Sequence, residues 1–311
     1  MTKAYDGDYE FEFAHQFGWE FRSAGLSIKT EEFLGIAKTF RTNIEQIASL
    51  GALPLDLLDF AQIAHQSWFM ARYKMGLVPD DYSEDENPLL KERVQQVLSK
   101  IVESRKNSRE PGRRICSEQL RTYLKGERDH SERHITAGIE AALAAMISGA
   151  YAAFETLAED LWVAVVDRHP NLAKRFPNKT LTTNDIFQYG PDISKSMGSA
   201  YRQKMGFRTL NGIVDTYKTT FGALIAPVFH DSTEIYKTEK IRHLIAHRSG
   251  IVDDKFLNEM KRFPEFQNLA TLQRLPIDGP MVRQRIDACV NIGTDLITKV
   301  DKWSADASRI S

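Results

Sequence analysis

Apolar residues recur every three or four positions along most of this chain, which is the spacing of one face of an α-helix. From Thr30 to Leu50 the repeat runs through Phe33, Leu34, Ile36, Ala37, Phe40, Ile44 and Ile47, and Gly51 is its expected end. A second helix is predicted over Leu55–Tyr73 and a third over Leu89–Val102. The longest repeat starts at Ile135 and passes through Leu143, Met146, Ile147, Tyr151, Phe154, Leu157, Leu161 and Trp162 to Val165, with Pro170 and Pro177 closing it. A helix of that length is the expected spine of a bundle. Shorter helices are predicted over Asn184–Ser196, Phe207–Ala223, Glu234–His247 and Met281–Ala305, and Asp231 with Glu234 reads as a capping-box-like start. Strand-like alternation is confined to Tyr9–Phe13. The expected fold class is therefore all-α, a helical bundle with a mainly helical N-terminal region.

Composition narrows the class further. The 311 residues are 42% hydrophobic and 27% charged, which excludes a disordered chain, and 18 Gly and 11 Pro are too few for a turn-rich all-β domain. The longest near-apolar run, Ala141–Phe154, is shorter than the roughly 20 residues that span a bilayer, and residues 1–6 carry no apolar signal core. Cys116 and Cys289 match no zinc spacing and no disulfide framework, so a cytoplasmic protein without a membrane partner is expected.

Charge is balanced overall, at −1, but not along the chain. Residues 1–90 hold 15 acidic and 7 basic side chains; the remainder holds 27 acidic and 34 basic. The basic part suits a polyanion, and it equally suits docking of the acidic part of the same chain. The basic stretch Ser104–Arg114, which carries Pro-Gly, is the expected domain boundary, dividing the chain into 1–112 and 113–311.

Candidate chemistry concentrates between Ile241 and Asp253. At 100° per residue, Ile241, Leu244 and Ile245 face the core, His243 and His247 are neighbours on the opposite side, and Arg242 lies between. Gly250 suits a helix C-cap, which puts His247 in the last turn, where backbone carbonyls favour an imidazolium. Three readings of these residues stand open. A metal on His243 and His247 would need a third ligand such as Asp253 or Asp254, and the glutamate of an HExxH zinc site is replaced by Leu244. The residues are also what a surface-exposed helix end would carry. The third reading is phosphodiester chemistry: an Arg fork holds phosphate, a His moves a proton near neutral pH, and RNA brings its own 2′-hydroxyl nucleophile.

Arg242, His243 and His247 match the motif of the HEPN superfamily, an Arg followed by Asn, Asp or His, then three residues and a His. The segment Ser148–Glu155 (SGAYAAFE) resembles the first helix of the RiboL-PSP-like branch, and His247–Asp253 (HRSGIVD) resembles that branch's exit from the motif helix. The resemblance covers roughly Ser131–Lys302. It implies a HEPN-like bundle that pairs as a homodimer, with two Arg/His motifs facing each other across the interface. It implies a metal-independent, cofactor-free endoribonuclease that leaves a cyclic phosphate, acting as a toxin, an antiviral defence effector or an RNA-processing factor. An antitoxin or trigger protein is the implied further partner. By that analogy His247 is the acid or base, Arg242 stabilises the phosphate and His243 orients or assists. Members that have lost catalysis bind only, so a silent module for dimerisation and for RNA or protein binding is the alternative.

Glu155 is the expected supporting residue. It stands on a partly apolar face of the long helix, four residues after Tyr151, and a carboxylate there wants a cation, for which Arg242 is the candidate. Arg248 is a candidate RNA contact and also a candidate helix cap, with Arg208 a weaker one. Tyr151 and Trp162 have the spacing of core residues, although such rings also stack on bases. Residues 1–112 would sense, inhibit or recruit, and their acidic character suits covering a basic RNA cleft.

Overall fold

In a computed structural model the chain is described over residues 28–77, 87–106, 134–190, 192–222, 225–229 and 232–307. The described residues are overwhelmingly helical, and their only β-type pairing is a single antiparallel bridge between Ile251 and Arg274. Tyr9–Phe13, Val78–Glu86, Cys116, Asp231 and the expected boundary at 112/113 lie outside the described residues.

The chain groups into two compact units. Among the described residues, one comprises 28–48 with 140–307, and the other falls within 49–139. Helix α1, Glu31–Lys74, contributes to both. It replaces the two helices expected on either side of Gly51 and Pro54. Gly costs a helix about 1 kcal/mol and Pro about 3 kcal/mol, and flanking turns rich in Ala and Leu carry the helix through both. In the second unit, Ala71 of α1 forms a small core with Leu90 and Val97 of α2, Pro88–Lys106.

The first unit is built on α3, His134–Arg168, the long helix that the periodicity predicts. Met146, Ala150, Tyr151, Phe154, Ala158, Leu161, Trp162, Val165 and Val166 are all fully buried. By length and apolarity alone α3 is long enough to cross a membrane, and its buried residues are those of a bundle's core helix. Trp162 stacks on Phe176 and Phe207 and donates to Thr220 Oγ1 at 2.7 Å. The Tyr217 hydroxyl donates to the Ala158 carbonyl at 2.7 Å. Both contacts fasten α6, Leu210–Phe221, to α3.

Between these helices lie α4, Thr183–Tyr189, and α5, Met197–Tyr201. The single helix expected over 184–196 is broken because Gly190 sits at φ 82° and is followed by Pro191. Then come α7, Thr233–Arg248, α8, Asp254–Met260, and the closing α9, Gly279–Ala307. The start of α1 belongs to this unit: Asp301 of α9 accepts from the backbone N–H groups of Lys29 and Thr30 at 2.9 and 3.0 Å.

Gly293 of α9 marks where three helices meet. A Cβ there would stand 2.8 Å from the Phe40 ring of α1 and 2.9 Å from Leu157 of α3. Both neighbours are buried, so neither has free space to yield into. We predict that Gly293→Ala destabilises the unit by about 1–3 kcal/mol, read as a lower urea midpoint. An unchanged midpoint would show that this contact is looser than the packing indicates.

Candidate active site

Helix α7 packs most extensively on α9, and of the residues that the sequence assigns to its core face Ile241 and Leu244 are buried, with Ile235, while Ile245 is half-buried. Arg242 emerges at the edge of that face with its side chain 31% exposed, and Glu155 of α3 stands opposite it, 16% exposed. An Arg242 terminal nitrogen donates to Glu155 Oε2 at 3.4 Å, the long end of a hydrogen bond. The guanidinium carbon lies 5.8 Å from the centre of the Tyr151 ring, within reach of a cation–π attraction.

His243 and His247 project from the other side of α7 and are exposed, their ring centres 4.4 Å apart and tilted by 48°. Burial and the neighbouring His247, Lys255, Lys240 and Arg242 hold His243 below its ordinary value. Its ring is therefore neutral at physiological pH, able to accept a proton or a hydrogen bond.

The helix ends just beyond these residues. Ser249 takes the left-handed conformation at φ 52°, its N–H donating to Ile245 O at 3.1 Å, and the Gly250 N–H donates to Leu244 O at 3.2 Å. The expected cap is thus shared: Ser249 occupies the left-handed position and Gly250 follows it, also at positive φ. Asp253 caps α8 by accepting from the Phe256 N–H at 2.8 Å, and its other oxygen lies 3.4 Å from Arg248 Nε. Asp254 accepts from the Thr271 hydroxyl at 2.7 Å. The two carboxylates considered as third metal ligands therefore have structural partners. Among the described residues no group of three or more His, Cys, Asp and Glu is arranged to hold a metal ion.

Beneath the exposed edge the site is short of hydrogen bonds. Among the described residues Glu155 accepts one bond, from Arg242, and the buried Tyr151 hydroxyl has no partner. Burial pushes the Glu155 carboxyl up to about 7; Arg242 opposes the shift, while Glu239 and Glu159 add to it. Burial likewise raises Tyr151 and the buried Cys289 thiol of α9 well above their ordinary values. Glu239 and Cys289 enter the site without being singled out in the sequence. Glu239 was findable, three residues before Arg242 on the same helix, whereas Cys289 is brought in by tertiary packing.

The remaining sequence candidates separate cleanly. Arg248 is exposed beside Asp253, and Arg208 is exposed ahead of α6. Tyr151 and Trp162 are fully buried and belong to the core. A separate open pocket of about 660 Å³ lies between α7 and α9, with the nearly buried Lys237 and the carboxylates of Glu234, Glu265 and Asp287 in its wall; none of Arg242, His243 and His247 lines it. Comparison with family models, curated proteins and solved structures finds no match to this chain.

The raised Glu155 carboxyl has a consequence for stability. A carboxyl that binds its proton more tightly folded than unfolded contributes stability below its unfolded value of about 4.5, and loses it as pH rises through 7. Glu155→Gln carries no such dependence. The variant should therefore gain on the wild type by about 1–3 kcal/mol between pH 5 and pH 8, measured by urea unfolding at both values. A difference independent of pH would place the carboxyl at its ordinary value.

Proposed function

We propose that this chain is a metal-independent endoribonuclease of HEPN type, cleaving RNA by attack of the 2′-hydroxyl on the adjacent phosphodiester. The observation that carries the reading is the side-by-side display on α7 of an Arg242 fork that spends one donor on Glu155 and the exposed His243–His247 pair. A guanidinium has five donors in a plane, so the rest remain for phosphate oxygens. In this reaction Arg242 would offset the charge that gathers on the phosphoryl oxygens in the pentacoordinate transition state. His247 would move a proton at the attacking or leaving oxygen, and His243, neutral near pH 7, would orient or assist. Lys240 and Lys255 extend the positive character around His243, and Arg248 would contact a flanking phosphate.

The biological setting in the proposal is that of a toxin or defence effector in the cytoplasm. It works as a homodimer that brings two Arg/His motifs together and is held in check by an antitoxin or trigger protein. Residues before the bundle would carry the sensing or inhibitory role. Because residues 28–48 pack into the unit that carries the site, truncation at residue 112 would remove core as well as regulator.

One observation favours a second reading, a catalytically silent module that binds RNA or protein: Arg242 is already engaged by Glu155. The deciding experiment is cleavage of mixed cellular RNA by the purified chain in excess EDTA. Wild type should cleave and leave cyclic phosphates, while Arg242→Ala and His247→Ala should each lose at least about 100-fold in rate. Equal cleavage by all three proteins would refute the assignment. RNA binding with no cleavage by the wild type would favour the silent module.

A further inference from the structure

Among the described residues Arg242 and Glu155 are each other's only charged hydrogen-bonding partner; Glu155 is largely out of water and Arg242 partly so. The groups facing the Glu155 carboxyl come from three helices. Arg242 and Glu239 face it from α7, Tyr151 and Glu159 from its own helix α3, and Cys289 from α9. Glu159 is paired with Arg202 at 2.6 Å and Glu239 lies 3.6 Å from Lys240, so Arg242 is the cation left to Glu155, beside a phenol and a thiol that burial keeps neutral. A phosphate arriving on Arg242 would add a further negative charge beside a carboxylate that accepts only one long hydrogen bond. Like charges at that separation in a poorly hydrated site repel strongly. The Glu155 side chain is 16% exposed, so most of its carboxylate stands out of water although its neighbour Thr156 is exposed.

We propose that Glu155 is a proton-operated clamp on Arg242: ionised, it holds the guanidinium, and on phosphate binding it takes up one proton from solvent and lets the guanidinium go. The proposal rests on the reading of Arg242 as a phosphate-binding residue and adds to it a positioning residue and a pH control. The balance is simple: one phosphate group gained by Arg242, one proton gained by a Glu155 oxygen, no covalent bond broken. The carboxyl value of about 7 puts that proton within reach under physiological conditions. Substrate binding then tightens as pH falls.

The test uses the full-length chain and a single-stranded oligonucleotide carrying 2′-O-methyl groups throughout, which has the phosphates but not the nucleophile. Binding is measured by fluorescence anisotropy from pH 6 to 8.5 at fixed salt. Calorimetry in two buffers of different ionisation enthalpy counts protons. Glu155→Gln should bind about tenfold more tightly than wild type at pH 8, should match it near pH 6, and should take up about one proton fewer. If Glu155→Gln keeps the wild-type pH slope and proton count, the clamp is wrong. If the folded variant binds more weakly at every pH, Glu155 supports Arg242 instead of restraining it, and the clamp is equally wrong. A second readout needs no oligonucleotide: the 13C carboxyl resonance missing from Glu155→Gln and the Arg242 15Nε resonance should titrate with one midpoint. Independent midpoints would overturn the clamp. If they titrate together while Arg242→Ala binds the oligonucleotide like wild type, the phosphate role of Arg242 fails, and with it the nuclease reading.

Discussion

Burial of one broad face of α3 governs what the rest of this unit can do. Tyr151, Phe154, Leu161 and Trp162 are fully buried on that face while Ala152 and Thr156 are exposed on the other, and Glu155 falls at the border between them. Each large apolar side chain on α3 stabilises the fold by about 1.5–3 kcal/mol when buried, and together they outweigh what one half-buried carboxylate costs. The helix therefore stays in register with the core, and Glu155 must take what partner the neighbouring helix offers. Helix α7 offers Arg242, and the pair follows from packing before any chemistry is asked of it.

The pair is poorly matched as a structural device. A carboxylate and a guanidinium built for stability would meet through two short parallel hydrogen bonds; here there is one, at 3.4 Å. The same structure shows what satisfied polar groups look like. Asp167 accepts from the backbone N–H groups of Gly198 and Ser199 and from the Ser199 hydroxyl. Asp301 holds the start of α1 with both oxygens. Lys237 bonds two glutamates and stands 4.7 Å over the Phe263 ring. Among the described residues Arg285 Nε is also left without a partner, but that guanidinium pairs with Glu234 at 2.8 Å. In the Tyr151–Glu155–Arg242 cluster a phenol, a carboxylate and a guanidinium are under-satisfied together, and half-paired polar groups of this kind gather where a protein exchanges partners.

Helical class and the faces of α3 and α7 were legible in the sequence because both follow from a period of 3.6 residues. Ile241 and Leu244 turn inward and His243 and His247 outward, as the 100° rotation requires. Even the Glu155–Arg242 approach could be argued in advance, since a carboxylate on a mostly apolar face needs a cation. Other features were out of reach. Gly51 and Pro54 read as a helix end, but local propensity of about 1 and 3 kcal/mol loses to the helix on either side of them. The packing of residues 28–48 into the C-terminal unit depends on contacts such as Gly293 against Phe40, and neither residue's own pattern announces the other. Cys289 reads as one more apolar residue of α9, and only the tertiary contact sets it near Glu155.

The position of the motif within α7 adds a last constraint. Arg242 is six residues from the end of the helix and half enclosed, whereas His247 lies in the final turn and is exposed. The two residues therefore differ in what moving them would require. His247 can reorient with little disturbance beyond the turn that Ser249 and Gly250 close. Arg242 has donors to spare beyond the one it gives Glu155, but its stem rises beside the buried Ile241 and a ligand on those donors would stand close to the Glu155 carboxylate. Under the proposed clamp, a phosphate held by both residues would engage the half-buried Glu155 carboxylate as well as the exposed histidines.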